Sequence, residues 1–426
     1  MKKVLIVGSG GREHSLGWKL KQSEDAIKLY FAPGNGGTSQ IGKNVDIQVT
    51  ELEKLVGFVQ DNNIDFTVVG PEAALEVGVV DAFNQAELPI FGPTKAGAQL
   101  ETSKAFTADF LERHNIPRPE SFTATNLDEA MQYVENKDPK SYVIKASGLA
   151  AGKGVVLPET ADEATEALKS MLNGDAFGSA GETVVIQERL TGQEVSAFAI
   201  SDGKNAVMLP FFQDHKQVYE GDKGPNTGGM GAYSPVPIVT DEIARKIEEE
   251  IIKPTVAGML ADGNEYKGVI YAGLFVTSDG QPKVIEYNSR FGDPECQPMM
   301  LLLESDLLEL LEGSASGDLA DYQIKISDKA AACVVLTSGG YPGSYETGKT
   351  IKGLDRTSGG VIVFQAGTEM LDDYLVSSGG RVLNVTAQAS DLKTALNKAY
   401  ENIGEDVVHF ESMHYRKDIG HRVIKI

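Results

Sequence analysis

Only two of the 426 residues are cysteines, Cys296 and Cys333. Two thiols cannot build a disulfide framework, and neither has ligands at metal-binding spacing. A reducing compartment, the cytoplasm, is the expected setting. Positive charge is also scarce: 39 Lys and Arg face 61 Asp and Glu, a net charge of −22. Binding of nucleic acid demands a basic face, so none is expected. No apolar run reaches the roughly 20 residues of a membrane span, so no membrane partner is expected. The start, Met1-Lys2-Lys3-Val4-Leu5-Ile6-Val7-Gly8, is basic and then apolar. A Gly-rich turn and Arg12-Glu13 follow it, not a small-residue cleavage site, so a buried first strand is expected. Repeats and low-complexity tracts are lacking too. An acidic protein that handles anions must concentrate its few cations locally, which makes Lys and Arg beside Gly-rich loops informative.

Apolar residues make up 41% and charged residues 23%, an ordinary globular balance. The length suggests about three domains. Up to about residue 93, apolar runs at 4–7, 29–32, 66–69 and 90–91 each end in a Gly or Pro turn, with helical patterns between, for example at 51–60 and 78–85. Strands separated by helices imply a parallel sheet covered on both faces. Ligands on such sheets bind at the carboxyl ends of the strands, where these turns lie. A long helix is predicted over 96–113, stopped by Ile116-Pro117-Arg118-Pro119. A small α+β segment follows, with strands at 142–146 and 183–188 and a helix that opens on Thr160-Ala161-Asp162-Glu163, a capping-box pattern. Beyond 190 the pattern is mostly antiparallel, with a helix over 241–260. From about 330, Gly-rich β segments dominate, with one helix near 392–402.

Four stretches carry possible chemistry. Gly8-Ser9-Gly10-Gly11-Arg12-Glu13 resembles a dinucleotide fingerprint, but Glu13 stands at the third glycine position and no acidic residue ends the second strand. A phosphate or phosphosugar at this turn is the better functional reading, and a plain strand-to-helix turn the structural one. Gly343-Ser344-Tyr345-Glu346-Thr347-Gly348-Lys349-Thr350 matches the P-loop pattern, yet Gly353 sits where the required helix should run, so a surface loop is expected. Lys145, on a strand before a Gly- and Ala-rich hairpin running to Gly154, can neutralise phosphate oxygens while the hairpin closes from above; the alternative is a surface hairpin with a solvated lysine. In Val284-Ile285-Glu286-Tyr287-Asn288-Ser289-Arg290, alternation puts Glu286 and Asn288 on one face. Their oxygens suit Mg²⁺. Arg290 beside them would spread charge in a phosphoryl transfer. A polar strand edge facing water is the alternative.

The last two motifs, in this order, resemble the ATP-grasp superfamily. The whole chain is similar to one family within it, the phosphoribosylamine–glycine ligases or glycinamide ribonucleotide synthetases. The likeness rests on the blocks Val7–His14, Ala32-Pro33-Gly34-Asn35, Val69-Gly70-Pro71-Glu72 and Ser103-Lys104-Ala105-Phe106. It continues through 145–154, Gln213-Asp214-His215-Lys216, 224–235 and Arg290-Phe291-Gly292-Asp293-Pro294-Glu295. It implies an N-terminal parallel-sheet (pre-ATP-grasp) α/β substrate-binding domain over 1–103. It also implies a two-lobed ATP-grasp region over 104–325, with a lid lobe at about 122–190, and a small β-rich α+β C-terminal domain over 326–426. The implied reaction joins glycine to 5-phosphoribosylamine at the cost of ATP, through glycyl phosphate, in purine biosynthesis. Mg²⁺ or Mn²⁺ would accompany ATP.

By the same resemblance, Lys104, Lys145, Gly148, Gly152, Lys153 and Gly154 contact the phosphates, Glu188 and Leu190 form the adenine hinge, and Glu194 reads the ribose. Glu286 and Asn288 hold the metal. Gly10, Gly11, Arg12, Glu72, His215, Gly229 and Asp293 bind substrate, and Arg290, Asp214 and Lys216 are catalytic. One departure from the superfamily is that the strand before Glu286, Tyr271-Ala272-Gly273-Leu274-Phe275, offers no second carboxylate, so the metal would depend more on ATP. Two rivals are a bicarbonate-using ATP-grasp carboxylase and a non-catalytic nucleotide sensor. The blocks at 224–235 and 290–295 speak against the first, and retention of Lys104, Lys145, Glu286, Asn288 and Arg290 against the second. A monomer is expected.

Overall fold

The computed structural model describes residues 1–148, 154–173 and 178–424. Strands β1 (Lys2–Gly8), β2 (Ile27–Pro33), β3 (Lys43–Asn44), β4 (Phe66–Val69) and β5 (Ile90–Phe91) form a wholly parallel sheet in the order β3-β2-β1-β4-β5. Strand β1 is apolar without alternation because both faces are covered: Val4 and Ile6 enter one core, Leu5 and Val7 the other. Chain direction across the sheet reverses between β1 and β4. The crevice at their carboxyl ends is therefore where such a sheet receives a ligand.

The helix expected over 96–113 is two helices, Gln99–Thr102 and Lys104–Arg113. Ser103 between them is extended, and its hydroxyl accepts from the Phe106 N–H (3.2 Å), so it caps the second helix. Lys104 thereby starts a helix instead of lying within one. Strands β6 (Ser121–Ala124), β7 (Tyr142–Ala146), β8 (Val155–Val156) and β9 (Val184–Glu188) make a small antiparallel sheet in the order β6-β9-β7-β8. Helices Leu127–Val134 and Ala161–Leu172 cover it, the latter capped by Thr160 as its sequence suggests. Most of the hairpin read as a lid, 149–153, lies outside the described residues.

Strands β10 (Gln193–Asp202), β11 (Ala206–Met208), β12 (Gln213–Asp214), β13 (Gln217–Tyr219), β14 (Lys223–Asn226), β15 (Gly231–Ser234), β16 (Lys267–Val276) and β17 (Pro282–Asn288) follow. An antiparallel sheet β11-β10-β16-β17 forms the floor of the central region. The long helix against it runs from Asp241 to Ala261 but widens to a π-helix over Ile247–Ile252. Pro254 follows at once; it has no N–H to give, and a widened turn eases the clash its ring would otherwise cause.

The last strands are β18 (Ala330–Thr337), β19 (Ile362–Gln365), β20 (Thr368–Leu371), β21 (Tyr374–Ser377) and β22 (Arg381–Ala389). The sheet they build is shared: its order is β12-β15-β18-β22-β19, and Gly231–Ser234 of the central region pairs with β18. The C-terminal sheet thus carries the 213–216 block. The P-loop look-alike is a loop followed by one 3₁₀ turn, Leu354–Arg356, and not by the α-helix a P-loop opens. Gly353 has φ +77°, Lys349 pairs with Glu346 (2.8 Å), and a Cβ at Gly353 would lie 1.8 Å from the Val407 carbonyl.

Candidate active site

Between the small sheet and β17 lies a cleft of about 520 Å³. One end is apolar, walled by Ala108, Leu111, Val155, Val185 and Ile285; the other holds Lys104, Lys145, Glu286, Asn288, Arg290, Glu72 and Glu101. A bulge in β17, where Gly273 faces Glu286 but Leu274 faces Val284, turns Ile285 into the cleft. Alternation then resumes. Glu286, Asn288 and Arg290 face the cleft, while the Tyr287 hydroxyl reaches back to Thr255 (2.6 Å). The absent second carboxylate has a local reason: Glu286 lies across Gly273, whose Cβ would come within 2.9 Å of Glu286 Cγ.

Three lysines converge on Glu286. Lys216 Nζ is 3.2 Å from Glu286 Oε1 and 3.8 Å from Glu194. Lys145 Nζ donates to the Ile285 carbonyl (2.9 Å), and Lys104 Nζ to that of Gly148 (3.3 Å). Lys216, against the opposing effect of burial, and then Lys145 and Lys104 hold the Glu286 carboxyl down at about 2. Burial pulls Lys145 to about 8, with Glu286 resisting. Burial also works against the Lys216 ammonium, but Glu286, Glu194 and Asp214 outweigh it and raise its pKa. Beside it, burial pushes Asp214 up to about 7, with Lys216 opposing.

Arg290 is held by two carboxylates. Its Nε donates to Glu72 (2.9 Å), its Nη2 reaches Glu101 (2.9 Å), and Asn288 Oδ1 also accepts (3.2 Å). Burial raises Glu72, but Arg290 and Arg12 prevail and hold it at about 2. At the end of β1, the Glu13 side chain turns back on its own helix Gly11–Leu20, accepting from the Gly10 N–H (2.5 Å) and from Arg12 Nε (2.6 Å). It fills the space over Gly8 and Gly70, where a Cβ would meet it at 2.6 and 2.0 Å. A dinucleotide fingerprint needs that space open, so this turn is not one. Arg12 also donates to the Phe291 carbonyl (3.0 Å), and its N–H to Asp293 (3.3 Å). Gly229 packs on Pro294, and Arg381 ties the carbonyls of Gly228 and Asp293 together (2.7 and 2.5 Å).

Lys104, Lys145, Gly154, Glu286, Asn288 and Arg290 therefore line one cleft, with Lys216 and Glu194 joined to it at Glu286, Gly148 at Lys104, and Asp214 beside Lys216. Glu72, Gly10, Gly11, Arg12, Gly229 and Asp293 lie at its far end. Glu188, Leu190 and His215 do not line it. Glu188 lies at the end of β9 on the face opposite Gln187, with its side chain 45% exposed and Lys283 at 3.9 Å. Gln187 lines the cleft instead, as period-two alternation requires. Leu190 is half-buried just beyond β9. His215 points away from Asp214 and Lys216, fully buried against Tyr233 and His421. Gly152 and Lys153 lie outside the described residues. Sequence reasoning missed Glu101 and Gln187. Strand alternation could have found the glutamine; nothing local marks the glutamate.

Among the described residues, no group of three or more His, Cys, Asp or Glu side chains gathers as a ligand set. Glu286 and Asn288 still offer two hard oxygens on one face. This donor set fits a divalent cation held mainly by phosphate.

Family models match nearly the whole chain: the phosphoribosylglycinamide synthetase N domain over 2–101, its ATP-grasp (A) domain over 102–296 and its C domain over 331–422. The phosphoribosylamine–glycine ligase of Vibrio cholerae serotype O1 is 51% identical over 425 residues, covering 99% of this chain and 98% of that one. The enzyme of the same name from Escherichia coli O6:H1 is 49% identical over 428 residues, covering 99% of each. Among solved structures, the phosphoribosylamine–glycine ligase of Thermotoga maritima superposes with a TM-score of 0.86 at 35% identity, covering 98% of this chain and 99% of that one. Biotin carboxylase from Campylobacter jejuni shares the fold, with a TM-score of 0.74 at 14% identity over 97% of this chain and 92% of that one. Matched by these models over nearly its whole length and about half identical to full-length relatives, the chain belongs to the phosphoribosylglycinamide synthetase family of ATP-grasp ligases.

Proposed function

We propose that the protein is an ADP-forming ligase that joins glycine to 5-phosphoribosylamine to give glycinamide ribonucleotide, acting in the cytoplasm as a monomer. The observation that carries this reading is the run of Lys104, Lys145 and Lys216 around Glu286 and Asn288, between an apolar slot and Arg290. The slot suits a flat base, and the buried amide of Gln187 is placed to read its exocyclic amine. The lysines suit a polyphosphate. Arg290, Glu72, Asp293 and the Gly10–Gly11–Arg12 turn suit the amino acid and the phosphosugar. On this reading 1–103 binds substrate, 104–325 binds ATP and 326–426 completes the site.

Glycine carboxylate is a poor acyl donor, and attack of its oxygen on the γ-phosphate makes glycyl phosphate and ADP. The amine of phosphoribosylamine then attacks the acyl carbon and phosphate leaves. Lys104, Lys145 and Lys216 neutralise charge on the transferring group, and alignment does most of the work, with no nucleophilic side chain required. Asp214, whose carboxyl burial pushes up to about 7, takes the proton the amine gives up. Mg²⁺ or Mn²⁺, held by Glu286 and Asn288 with phosphate oxygens, would supply further charge neutralisation. Acyl phosphate and aminosugar both decompose in water, which favours a closed site.

The test is nucleotide release with glycine, phosphoribosylamine or bicarbonate omitted in turn, and chromatography of the product. ADP that needs both glycine and the aminosugar supports the reading. AMP, or release that needs bicarbonate, sinks it.

A further inference from the structure

Strand alternation splits residues 213–216 into two sets. Asp214 and Lys216 turn to the cleft, where Lys216 meets Glu286 and Glu194. Gln213 and His215 turn to the opposite side, where Tyr233 touches both. On that far side a segment from the end of the chain grips the strip. Arg422 Nη1 donates to the Asp214 carbonyl (3.1 Å), the Gly420 N–H to His215 Nε2 (3.2 Å), and Arg416 Nη1 to the Gln217 carbonyl (3.2 Å).

The grip is itself anchored. Asp222 receives Arg416 (2.9 Å) on one oxygen and both Nε and Nη2 of Arg422 (3.2 and 2.9 Å) on the other. Asp418 takes two further bonds from Arg416, each 2.8 Å. The Arg416 side chain is fully buried, which a guanidinium tolerates only when its donors are met. Strand β12 is two residues long and pairs with β15 at Gln213 and Asp214 alone. Backbone bonds continue the strip beyond it: the His215 N–H donates to the Gly231 carbonyl (2.9 Å), the Met230 N–H to the His215 carbonyl (2.8 Å) and the Thr227 N–H to the Lys216 carbonyl (2.7 Å), while the Asp214 carbonyl is met by Arg422.

We propose that Arg422 is a positioning residue for the acyl-transfer chemistry: through the Asp214 carbonyl it holds residues 214–216 so that Asp214 and Lys216 are presented to the cleft, without touching substrate. The proposal rests on the ligase reading above. Arg422 also carries charge toward Asp214. Burial raises that carboxyl, Lys216 and Arg422 oppose the rise, and Glu295 and Glu194 add to it, with the Tyr271 hydroxyl packed alongside. Neutralising Arg422 therefore lets Asp214 take a proton at higher pH. A purely structural contact would leave that pH unchanged.

The experiment compares the wild-type full chain with Arg422→Gln and Arg422→Lys, using MgATP, glycine and freshly generated phosphoribosylamine. For Arg422→Gln, kcat falls by about tenfold to a hundredfold while KM for ATP changes little. The acid limb of its kcat profile moves up by about half a pH unit. Arg422→Lys keeps the charge but not the fork, so its acid limb stays at the wild-type pH while kcat is still reduced. Arg422→Gln with wild-type kcat and an unmoved acid limb overturns the proposal. So does a loss that only tracks the folded fraction, read from thermal melts. Should Arg422→Gln fail to fold, Arg422→Lys decides, and wild-type kcat in that variant overturns the proposal. A wild-type chain that releases no ADP with both substrates present fails the ligase reading instead.

Discussion

Replacing Glu286 by glutamine keeps the shape of the side chain and removes the one carboxylate on which Lys104, Lys145 and Lys216 converge. The carboxyl is held at about 2 against an ordinary value of 4.5, a depression of about 2.5 units. At about 1.4 kcal/mol per unit this is about 3.5 kcal/mol of preference for the charged form. The side chain is 35% exposed at the cleft mouth, so water screens part of this and about half is the usable figure. Its folded-state pKa is depressed, so its stabilisation is full above pH 4.5 and is lost as pH falls toward 2. The unliganded variant is therefore expected to be less stable than wild type by roughly 1.5–2 kcal/mol at pH 7, with the gap closing below about pH 4.5. Turnover is expected to fall by about a thousandfold, or roughly 4 kcal/mol, partly recovered by raised Mg²⁺. Denaturant melts across pH and steady-state kinetics across a Mg²⁺ titration measure the two effects separately. Wild-type turnover by Glu286→Gln at low Mg²⁺ would place the metal elsewhere. A stability gap that ignores pH would refute the charge argument.

Further outcomes follow from single features. Burial holds Lys145 at about 8. Affinity for ATP should therefore fall by roughly tenfold between pH 7 and 9 as its charge is lost, and a flat calorimetric profile would show that Lys145 does not bind the phosphates. Lys349→Ala should leave kcat nearly unchanged, since its partners are Glu346 and Glu411 in a helix-free loop; a hundredfold loss in a folded variant would restore the P-loop reading. Gly353→Ala should cost about 2–4 kcal/mol in denaturant melts, because its Cβ would strike the Val407 carbonyl at positive φ. The folded fraction should keep wild-type turnover, and an unchanged midpoint would contradict the backbone clash.

Local pattern was enough for several parts of this protein. The parallel sheet followed from apolar runs ending in Gly or Pro turns, and the shared face of Glu286, Asn288 and Arg290 from strand alternation, because both signals are short-range and periodic. The false P-loop was legible for a similar reason: Gly353 is incompatible with the helix a P-loop requires. Alternation would also have found Gln187 rather than Glu188, had it been applied to the end of β9.

Other features depend on distant chain segments. Glu101 reaches Arg290 from a helix far back in sequence. Glu13 occupies the space over Gly8 and Gly70, which only folding brings together. Pairing of β15 with β18 places residues 213–216 on a sheet with the C-terminal strands and within reach of Arg416 and Arg422. Sequence alone determined which residue types could carry phosphoryl chemistry and on which strand faces they stand. Tertiary structure decided which charges meet, because the pairing of a buried charge depends on segments whose separation along the chain carries no local signal.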